Sequence, residues 1–229
     1  MPTWSRHFQG LLDLFLQSNC PLCQRPTSTE LCPNCTRQLQ KCRHTHPDAL
    51  WKQPIPVFSW GLYGGTLKRA IALMKYDNQP EIARLLGQWL GETWLLHSLH
   101  QTTQIVVVPI PLHPSKQKQR GYNQAALIAQ SFCQTTGLKL KLNGLARVRE
   151  TTAQFGLSVS ERENNLAEAF AIGQDFRHSC PKAPVLLIDD IYTTGATVKS
   201  AVQILRQNEI TVLGLAATAS AAKDRYIKN

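Results

Sequence analysis

Two adjacent acids followed by a run of hydroxyls are the residues of this chain best suited to chemistry. The acids are Asp189 and Asp190, and the loop after them contains Thr193, Thr194, Gly195, Ala196 and Thr197. Carboxylates accept hydrogen bonds from vicinal hydroxyls, whereas threonine hydroxyls and the amides of a glycine-containing loop donate to phosphate oxygens. A ribose 5-phosphate presents both groups, a phosphate and a pair of vicinal hydroxyls, and we predict such a ligand here.

A strand and a helix must hold these residues in place. Residues 185–188 are all apolar, which is typical of a strand buried on both faces of a parallel sheet, and we expect the two acids to end it. Apolar residues then recur at helical spacing, at Val198, Ala201, Val202 and Leu205. Open α/β sheets bind ligands at the carboxyl ends of their strands. The alternative is an ordinary strand-to-helix turn, in which the same residues only cap the helix.

The run of residues 185–197 resembles the phosphoribosyl pyrophosphate (PRPP) motif of type I phosphoribosyltransferases. The resemblance implies that Asp189 and Asp190 hold the ribose hydroxyls, that residues 193–197 cradle the 5-phosphate, and that Mg²⁺ accompanies PRPP. Rival phosphate-binding loops fit worse, because neither G-x-x-x-x-G-K-[ST] nor G-x-G-x-x-G occurs in the chain.

A second polar region is predicted to bind the pyrophosphate of the same ligand. Residues 105–108 form a β-branched strand that stops at a proline-rich loop, and this loop leads into a span of five residues, 116–120, that contains three cations. Further along, residues 147–165 are polar and are expected to form a mobile lid, although a solvated face is the simpler interpretation of its arginines. His113 is a weaker acid/base candidate. The pyrophosphate and lid candidates are Pro109, Ile110, Lys116, Arg120, Arg147 and Arg149.

Four cysteines near the start predict a structural zinc site. They form two C-x-x-C knuckles separated by eight residues, and their thiolates suit a tetrahedral ion: Cys20, Cys23, Cys32 and Cys35. A redox dithiol or disulfide pair is the alternative. Cys42, His44 and His46 could offer a substitute ligand, but four cysteines already complete the coordination, so we expect these three side chains to be solvated or packed.

Length, charge and cysteine number limit the class of protein. With 229 residues and 43% hydrophobic content, the chain can bury one α/β core with a small appendage. The net charge of +10 is concentrated between residues 112 and 150, where seven Lys and Arg residues face Glu150 alone, and it favours polyanions such as pyrophosphate or nucleic acid. Seven cysteines, no secretory signal and no transmembrane segment predict a cytoplasmic protein.

The predicted fold class is α/β, with a Rossmann-like parallel sheet flanked by helices and a small zinc-knuckle module before it. Residues 1–48 are assigned to an amphipathic helix, over residues 3–17, and the four-cysteine module. Residues 57–219 form the main domain after a proline-containing linker, and residues 220–229 are a basic tail.

The order of these motifs is similar to that of the ComF (competence protein F, GntX-like) family. The resemblance is carried by the double knuckle, Tyr63-Gly64-Gly65 before a basic helix with Lys75, the loop at residues 109–111, the run at residues 120–124, the polar region with Arg162 and Asn165, and the PRPP motif. It implies a type I phosphoribosyltransferase fold and a role in DNA uptake on the cytoplasmic side of the membrane.

Three functions remain open from the sequence. The first is a competence protein that binds PRPP or a related 5-phosphoribosyl ligand with Mg²⁺ and handles incoming single-stranded DNA. The second is an active phosphoribosyltransferase that transfers phosphoribose from PRPP to an unidentified nucleobase-like acceptor. The third is a scaffold with a vestigial site, whose helix and knuckle recruit other DNA-uptake proteins.

Overall fold

A five-stranded parallel sheet forms the centre of the molecule. The computed structural model describes residues 18–98, 104–149 and 169–221. In that part of the chain the strands are β1 (Ser18–Asn19), β2 (Pro26–Thr27), β3 (Val57–Leu62), β4 (Val106–Pro109), β5 (Lys139–Leu140), β6 (Leu145–Arg147), β7 (Phe170–Ile172), β8 (Val185–Tyr192) and β9 (Val212–Ser220). The central sheet has the order β3-β9-β8-β4-β5, while β1–β2 and β6–β7 form separate antiparallel pairs.

Helices cover both faces of this sheet, which confirms the predicted α/β class. They are α1 (Pro33–Gln40), α2 (Gly65–Tyr76), α3 (Pro80–His97), α4 (Pro114–Arg120), α5 (Gln124–Thr136) and α6 (Ala196–Gln207), with a short 3₁₀ turn at Gln174–Phe176. One hydrophobic cluster joins α2, α3 and α5 to the sheet, and a second joins α6 and the β6–β7 pair to it. Among the helices described, none is both long and apolar enough to cross a bilayer.

Strand β8 is buried on both faces, as predicted. Leu186 and Ile188 belong to the cluster under α2, α3 and α5, whereas Val185 and Leu187 belong to the cluster under α6. Successive side chains of a strand point to opposite faces, so this division follows from the pleat. We had expected the strand to end at the two acids, but it continues to Tyr192. It continues because β9 runs beside it as far as Ser220 and supplies main-chain partners.

The proline-rich stretch after β4 also differs from the predicted loop, because it contains a helix. Pro114 occupies the first turn of α4, where its missing amide hydrogen costs nothing. The His113 side chain accepts a hydrogen bond from the Ser115 amide, and Gly121 ends the helix in the left-handed conformation, at φ 80°. His113 is therefore explained locally as a helix cap.

The segment predicted as a linker, residues 46–56, covers the outer edge of β3 together with the residues just before it. Arg43 and Leu50 form bridges to Gly61 and Val57, and the Ser59 amide donates to the Pro47 carbonyl oxygen. A Cβ on Gly61 would lie 2.7 Å from the Cys42 carbonyl oxygen, so only glycine allows this close approach. An otherwise unpaired strand edge is covered in this way.

Candidate functional site

The two aspartates lie near the carboxyl end of β8, between β4 and β9. Asp190 is buried, at 7% exposure, and Asp189 is half-buried. The Asp190 main-chain oxygen accepts a hydrogen bond of 2.7 Å from the Thr218 hydroxyl. Since neighbouring strand residues alternate in direction, Asp190 falls on the α2 side of the sheet and Asp189 on the β6–β7 side. The site is therefore built from both layers of the fold.

An ion pair neutralises Asp190. The Lys75 Nζ atom lies 2.8 Å from Asp190 Oδ2, and the two side chains are only 19% and 11% exposed. Lys75 occupies the last turn of α2, four residues after the buried Ile71, so the helix aims it at the sheet. This pair fixes the end of α2 over the carboxyl end of β8.

Asp189 experiences a different environment. Burial and the adjacent Asp190 carboxylate raise the pKa of Asp189 to about 7. The Asp190 amide, Lys75 and Arg147 lower this pKa, but by less. The amide of Asp190 donates to Asp189 Oδ1 over 2.8 Å. Asp189 can therefore change its charge near neutral pH, and a cation or hydrogen-bond donor brought beside it would favour the ionised form.

The loop after β8 leads directly into a helix N-terminus. Thr193 and Thr194 are exposed, and Gly195 adopts φ 76° immediately before α6. The positive φ favours glycine at this position, and a Cβ there would also crowd the Tyr192 ring at 3.0 Å. The first-turn amides of a helix lack intrahelical acceptors. In α6 the Ala196 amide donates to the Thr194 hydroxyl over 3.5 Å, and the amides that follow it are potential donors to an anion. Ala196 and Thr197 supply that first turn, as the predicted strand–loop–helix unit requires.

The predicted pyrophosphate loop begins beside the same strand. Pro109 is in register with Ile188, and the Ile110 amide donates to the Ile188 carbonyl oxygen over 2.8 Å. The Asn123 side-chain amide donates to the Ile110 carbonyl oxygen over 3.0 Å and so fixes the loop. Residues 109 and 110 are thereby brought next to Asp189.

The two cations predicted to bind pyrophosphate in that region, Lys116 and Arg120, have different environments. Arg120 donates to Gln124 Oε1 over 3.0 Å, and its guanidinium carbon lies 5.5 Å from the centre of the Tyr76 ring. Lys116 is half-buried on α4. Their assignment to pyrophosphate stays a prediction.

The lid arginines are described only at their start. Arg147 lies in β6 with its guanidinium carbon 5.3 Å from the centre of the Phe170 ring, and its charge acts on Asp189. Arg149 is exposed two residues further on. Arg162, Asn165 and most of the predicted lid fall outside the described residues, as do the helix predicted over residues 3–17 and nearly all of the basic tail.

Sequence reasoning missed Lys75 as a site residue. Lys75 was named only as part of the basic helix that follows Tyr63-Gly64-Gly65. The signal was present in the spacing, because Lys75 follows Leu67 by eight residues and Ile71 by four, which places it on the buried stripe. A lysine at a core-facing position needs an acidic partner, and the acids of the predicted central strand are candidates for that role.

The four predicted zinc ligands converge at the start of the chain. All four Sγ atoms lie within 4.8 Å of one another, and those of Cys23 and Cys32 are 3.5 Å apart. A tetrahedron with Zn–S bonds of about 2.3 Å has edges of about 3.8 Å, so the cluster fits an ion of this kind. The Cys35 amide lowers the pKa of the Cys32 thiol to about 7, which favours the thiolate that metals bind, whereas burial raises the pKa of the Cys35 thiol. The group can hold a metal ion such as zinc.

The neighbouring candidate ligands are placed as expected. His44 is buried, and its Nε2 atom lies 3.1 Å from the Ser220 hydroxyl at the end of β9. His46 is exposed. Cys42 donates to the Gln38 carbonyl oxygen, 3.7 Å away. Packing and solvent therefore account for these three residues.

Comparison with solved structures gives distant likenesses. Adenine phosphoribosyl transferase from Trypanosoma brucei, in complex with AMP, pyrophosphate and ribose-5-phosphate, aligns with a TM-score of 0.40 and 15% identity, over 85% of this chain and 71% of that one. Adenine phosphoribosyltransferase from Leishmania tarentolae gives 0.40 and 11%, over 78% and 94%. These TM-scores are too low to support any inference about function. No family model matches the chain.

Curated proteins give closer likenesses. Competence protein F of Haemophilus influenzae is 32% identical over 224 residues, which cover 92% of this chain and 95% of that protein. The DNA utilization protein YhgH of Escherichia coli K12 is 30% identical over 82% and 84% of the two chains, and Competence protein ComFC of Bacillus subtilis 27% over 81% and 70%. Identity at this level, across nearly the full length of both chains, shows that this protein belongs to the ComF (competence protein F) family.

Proposed function

We propose that this protein binds PRPP, or a related 5-phosphoribosyl ligand, with Mg²⁺ at the carboxyl end of β8. The observation that carries the proposal is the placement of two acids near the end of the central strand of a parallel sheet, one short loop before the N-terminus of a helix that begins after Gly195. Ligands of open α/β sheets bind at this edge. The 5-phosphate would contact residues 193–197, and the ribose hydroxyls would contact Asp189 and Asp190.

The ion pair with Lys75 leaves acceptor positions on the Asp190 carboxylate for such a ligand. Lys75 contacts one carboxylate oxygen of Asp190, and a carboxylate has about four acceptor positions over its two oxygens. Mg²⁺ prefers carboxylate and phosphate oxygens, so the two aspartates fit as the protein's share of its surroundings, and the ion would neutralise the diphosphate. On the β6–β7 side of the sheet, Arg147 would border the pyrophosphate, and so would the loop at Pro109 and Ile110. Lys116, Arg120 and Arg149 complete the proposed cationic surroundings.

We further propose that the protein acts in natural competence, in the cytoplasm, and handles incoming single-stranded DNA. The names of its relatives, competence protein and DNA utilization protein, support this role. The net charge of +10 and the basic residues around the four-cysteine cluster, among them Arg25, Arg37 and Lys41, suit a polyanion. In this proposal the four cysteines hold Zn²⁺ as a structural ion. Other DNA-uptake proteins are the expected protein partners.

A catalytic version of the same site is the second candidate. Two features favour it: Asp189 with a pKa near neutrality, and the Lys75 charge within the same site. In a transferase, these groups would stabilise the positive charge that develops on the ribose ring and the negative charge on the departing pyrophosphate. Pyrophosphate release measured over a panel of bases separates this candidate from a protein that only binds, and from a scaffold with a vestigial site.

Isothermal titration with ribose 5-phosphate and with PRPP, with and without Mg²⁺, tests the binding proposal. We expect saturable binding by the wild type and a loss of at least about tenfold in affinity for Asp189→Asn, the size of effect that a charged hydrogen-bonding partner supplies. The matched control is Asp48→Asn, which removes the same charge from an exposed position. If zinc-loaded wild type binds neither compound, or if both variants bind as the wild type does, the ligand has been placed wrongly.

The DNA role has its own test. A titration of single-stranded oligonucleotide at rising salt should give an affinity that falls steeply with salt concentration. Absence of binding at low salt would remove the DNA part of the proposal while leaving the phosphoribosyl site intact.

A further inference from the structure

The segment that follows the four-cysteine cluster is hydrogen-bonded to the end of β3. It comes directly after α1, the helix that carries Cys35. The Cys42 carbonyl oxygen accepts a hydrogen bond of 2.8 Å from the Leu62 amide. The His44 amide donates to the Trp60 carbonyl oxygen over 2.9 Å. This segment is therefore fixed along the last residues of β3, at the edge of the sheet where the candidate site lies.

A buried polar pair extends this connection to β9. His44 is 9% exposed and Ser220 is 1% exposed, and the His44 Nε2 atom lies 3.1 Å from the Ser220 hydroxyl. An apolar side chain could cover the end of a strand without a partner, whereas a buried imidazole must be hydrogen-bonded. A hydrogen bond also constrains the relative position of its two groups more closely than an apolar contact does. The pair therefore holds the end of β9 against the segment after the cysteines.

Ser220 in turn lies beside the end of β8. Tyr192, the last residue of β8, is in register with Ser220, and the Ala221 amide donates to the Tyr192 carbonyl oxygen over 2.9 Å. The Tyr192 ring lies next to Gly195, immediately before α6. The contact between His44 and Ser220 thus stands between the segment after the cysteines and the loop proposed to hold the 5-phosphate.

A second contact leads from α1 to the other half of the candidate site. The Thr66 hydroxyl, in the first turn of α2, donates to Gln38 Oε1 in α1 over 3.3 Å. The last turn of α2 carries Lys75, which contacts Asp190. The helix that carries Cys35 is therefore connected to the aspartates as well as to the phosphate loop.

The four-cysteine cluster can supply the two states that coupling between sites requires. A module as small as this one has little core of its own, so its order depends on an ion held by the thiolates. With the ion bound, α1 and the segment after it are fixed, and His44 is held against Ser220. Without the ion, this segment loses its anchor, and the ends of β9 and β8 lose a buried partner.

We propose that the His44–Ser220 contact couples the four-cysteine cluster to the phosphate loop, so that loss of the metal ion weakens binding of the phosphoribosyl ligand. His44 is a positioning residue in this proposal, because it acts on the ligand through Ser220 and the end of β8. The inference rests on the proposed function for its ligand, and it adds control of that site by the metal state of the cysteines.

Calorimetric titration of ribose 5-phosphate into zinc-loaded variants tests the positioning role. Ser220→Ala and His44→Leu should each weaken binding about three- to tenfold, which is the equivalent of one hydrogen bond. His44→Gln, whose side-chain amide can reach the same hydroxyl, should recover most of the affinity. The matched control is His46→Leu, at an exposed position two residues further on, and it should bind as the wild type does.

Competition for zinc with a coloured chelator tests the coupling itself. Coupling between two sites is reciprocal, so saturating ribose 5-phosphate should raise the zinc affinity of the wild type by the same factor, about three- to tenfold. The zinc affinity of Ser220→Ala should not respond to the ligand. A residue that only stabilised the fold would not abolish this response. Circular dichroism and zinc content confirm that Ser220→Ala is folded and loaded.

Each remaining outcome refutes a defined part of the proposal. If zinc-loaded wild type binds no ribose 5-phosphate, the proposed function fails and the coupling fails with it. If the wild type binds the ligand but Ser220→Ala binds it equally well, the coupling is wrong while the phosphoribosyl site stands. The same conclusion follows if the ligand leaves the zinc affinity of the wild type unchanged, or if the chain holds no zinc. Equal losses for His44→Leu and His46→Leu would refute the positioning role of His44.

Discussion

Replacing Lys75 by methionine removes the positive partner of Asp190 while keeping a long side chain. The ammonium and the carboxylate are 2.8 Å apart and 19% and 11% exposed, so Asp190 would retain a mostly buried carboxylate without its counter-ion. Breaking a fully buried pair from one side costs about 3–5 kcal/mol. Because both groups here retain some solvent access, we expect Lys75→Met to lower the free energy of unfolding by about 2–3 kcal/mol.

Urea denaturation of a double-mutant cycle measures this energy. Lys75→Met, Asp190→Asn and the double variant should show a coupling energy of about 1.5–3 kcal/mol, with the double variant more stable than Lys75→Met alone. Lys68→Met, on an exposed position of the same helix, should change stability by less than about 0.5 kcal/mol and serves as the control. Equal losses for the two lysine variants, or a coupling energy near zero, would refute the role assigned to the pair.

Three further predictions follow from the site and the cysteine cluster. The pKa of Asp189 is about 7 in the folded chain and about 3.9 when unfolded, so its contribution to stability is complete below about pH 4 and is lost as pH rises through about 7. A shift of about three pKa units corresponds to about 4 kcal/mol in full, but Asp189 is only half-buried and solvent screening reduces the effect. Urea titrations from about pH 4 to about pH 8 should therefore show a decline of about 1–2 kcal/mol that Asp189→Asn lacks. Gly195→Ala should cost about 1–2 kcal/mol in urea denaturation, since it combines a φ of 76° with the Tyr192 ring, whereas Gly64→Ala, with open space around it and extended backbone, should be nearly neutral. Elemental analysis should find a single zinc ion per chain, and its removal by a chelator should lower the melting temperature; an unchanged melting temperature would contradict a structural role.

Local patterns were enough to predict the elements that form the site. The apolar run before Asp189 predicted a central strand, and the repeat after Gly195 predicted the helix, because each follows from a period that the sequence shows directly. The family was also predicted correctly from the order of the motifs. The spacing of the two C-x-x-C pairs predicted that the four thiols would lie together, because so short a segment allows few other arrangements.

Long-range contacts were harder to predict. The end of β8 depends on how far β9 extends beside it, and β9 begins twenty residues later in the chain. The Lys75–Asp190 pair joins residues more than a hundred positions apart, and only the tertiary packing of α2 brings them together. The helix at α4 depended on capping by His113, which is an uncommon capping residue. For β8 and for the ion pair, a partner outside the local window decided the outcome, whereas the cap of α4 is local.

The cover over β3 has a consequence for biosynthesis. Residues 42–50 leave the ribosome before β3, and they follow directly from α1, which carries Cys35 and shares a core cluster with Trp60. If the four cysteines hold a structural metal ion, a chain synthesised without it would lack an ordered α1 to anchor this cover, and β3 would leave the ribosome with an unpaired edge open to other chains. Metal supply during translation would then govern how much of the protein escapes aggregation.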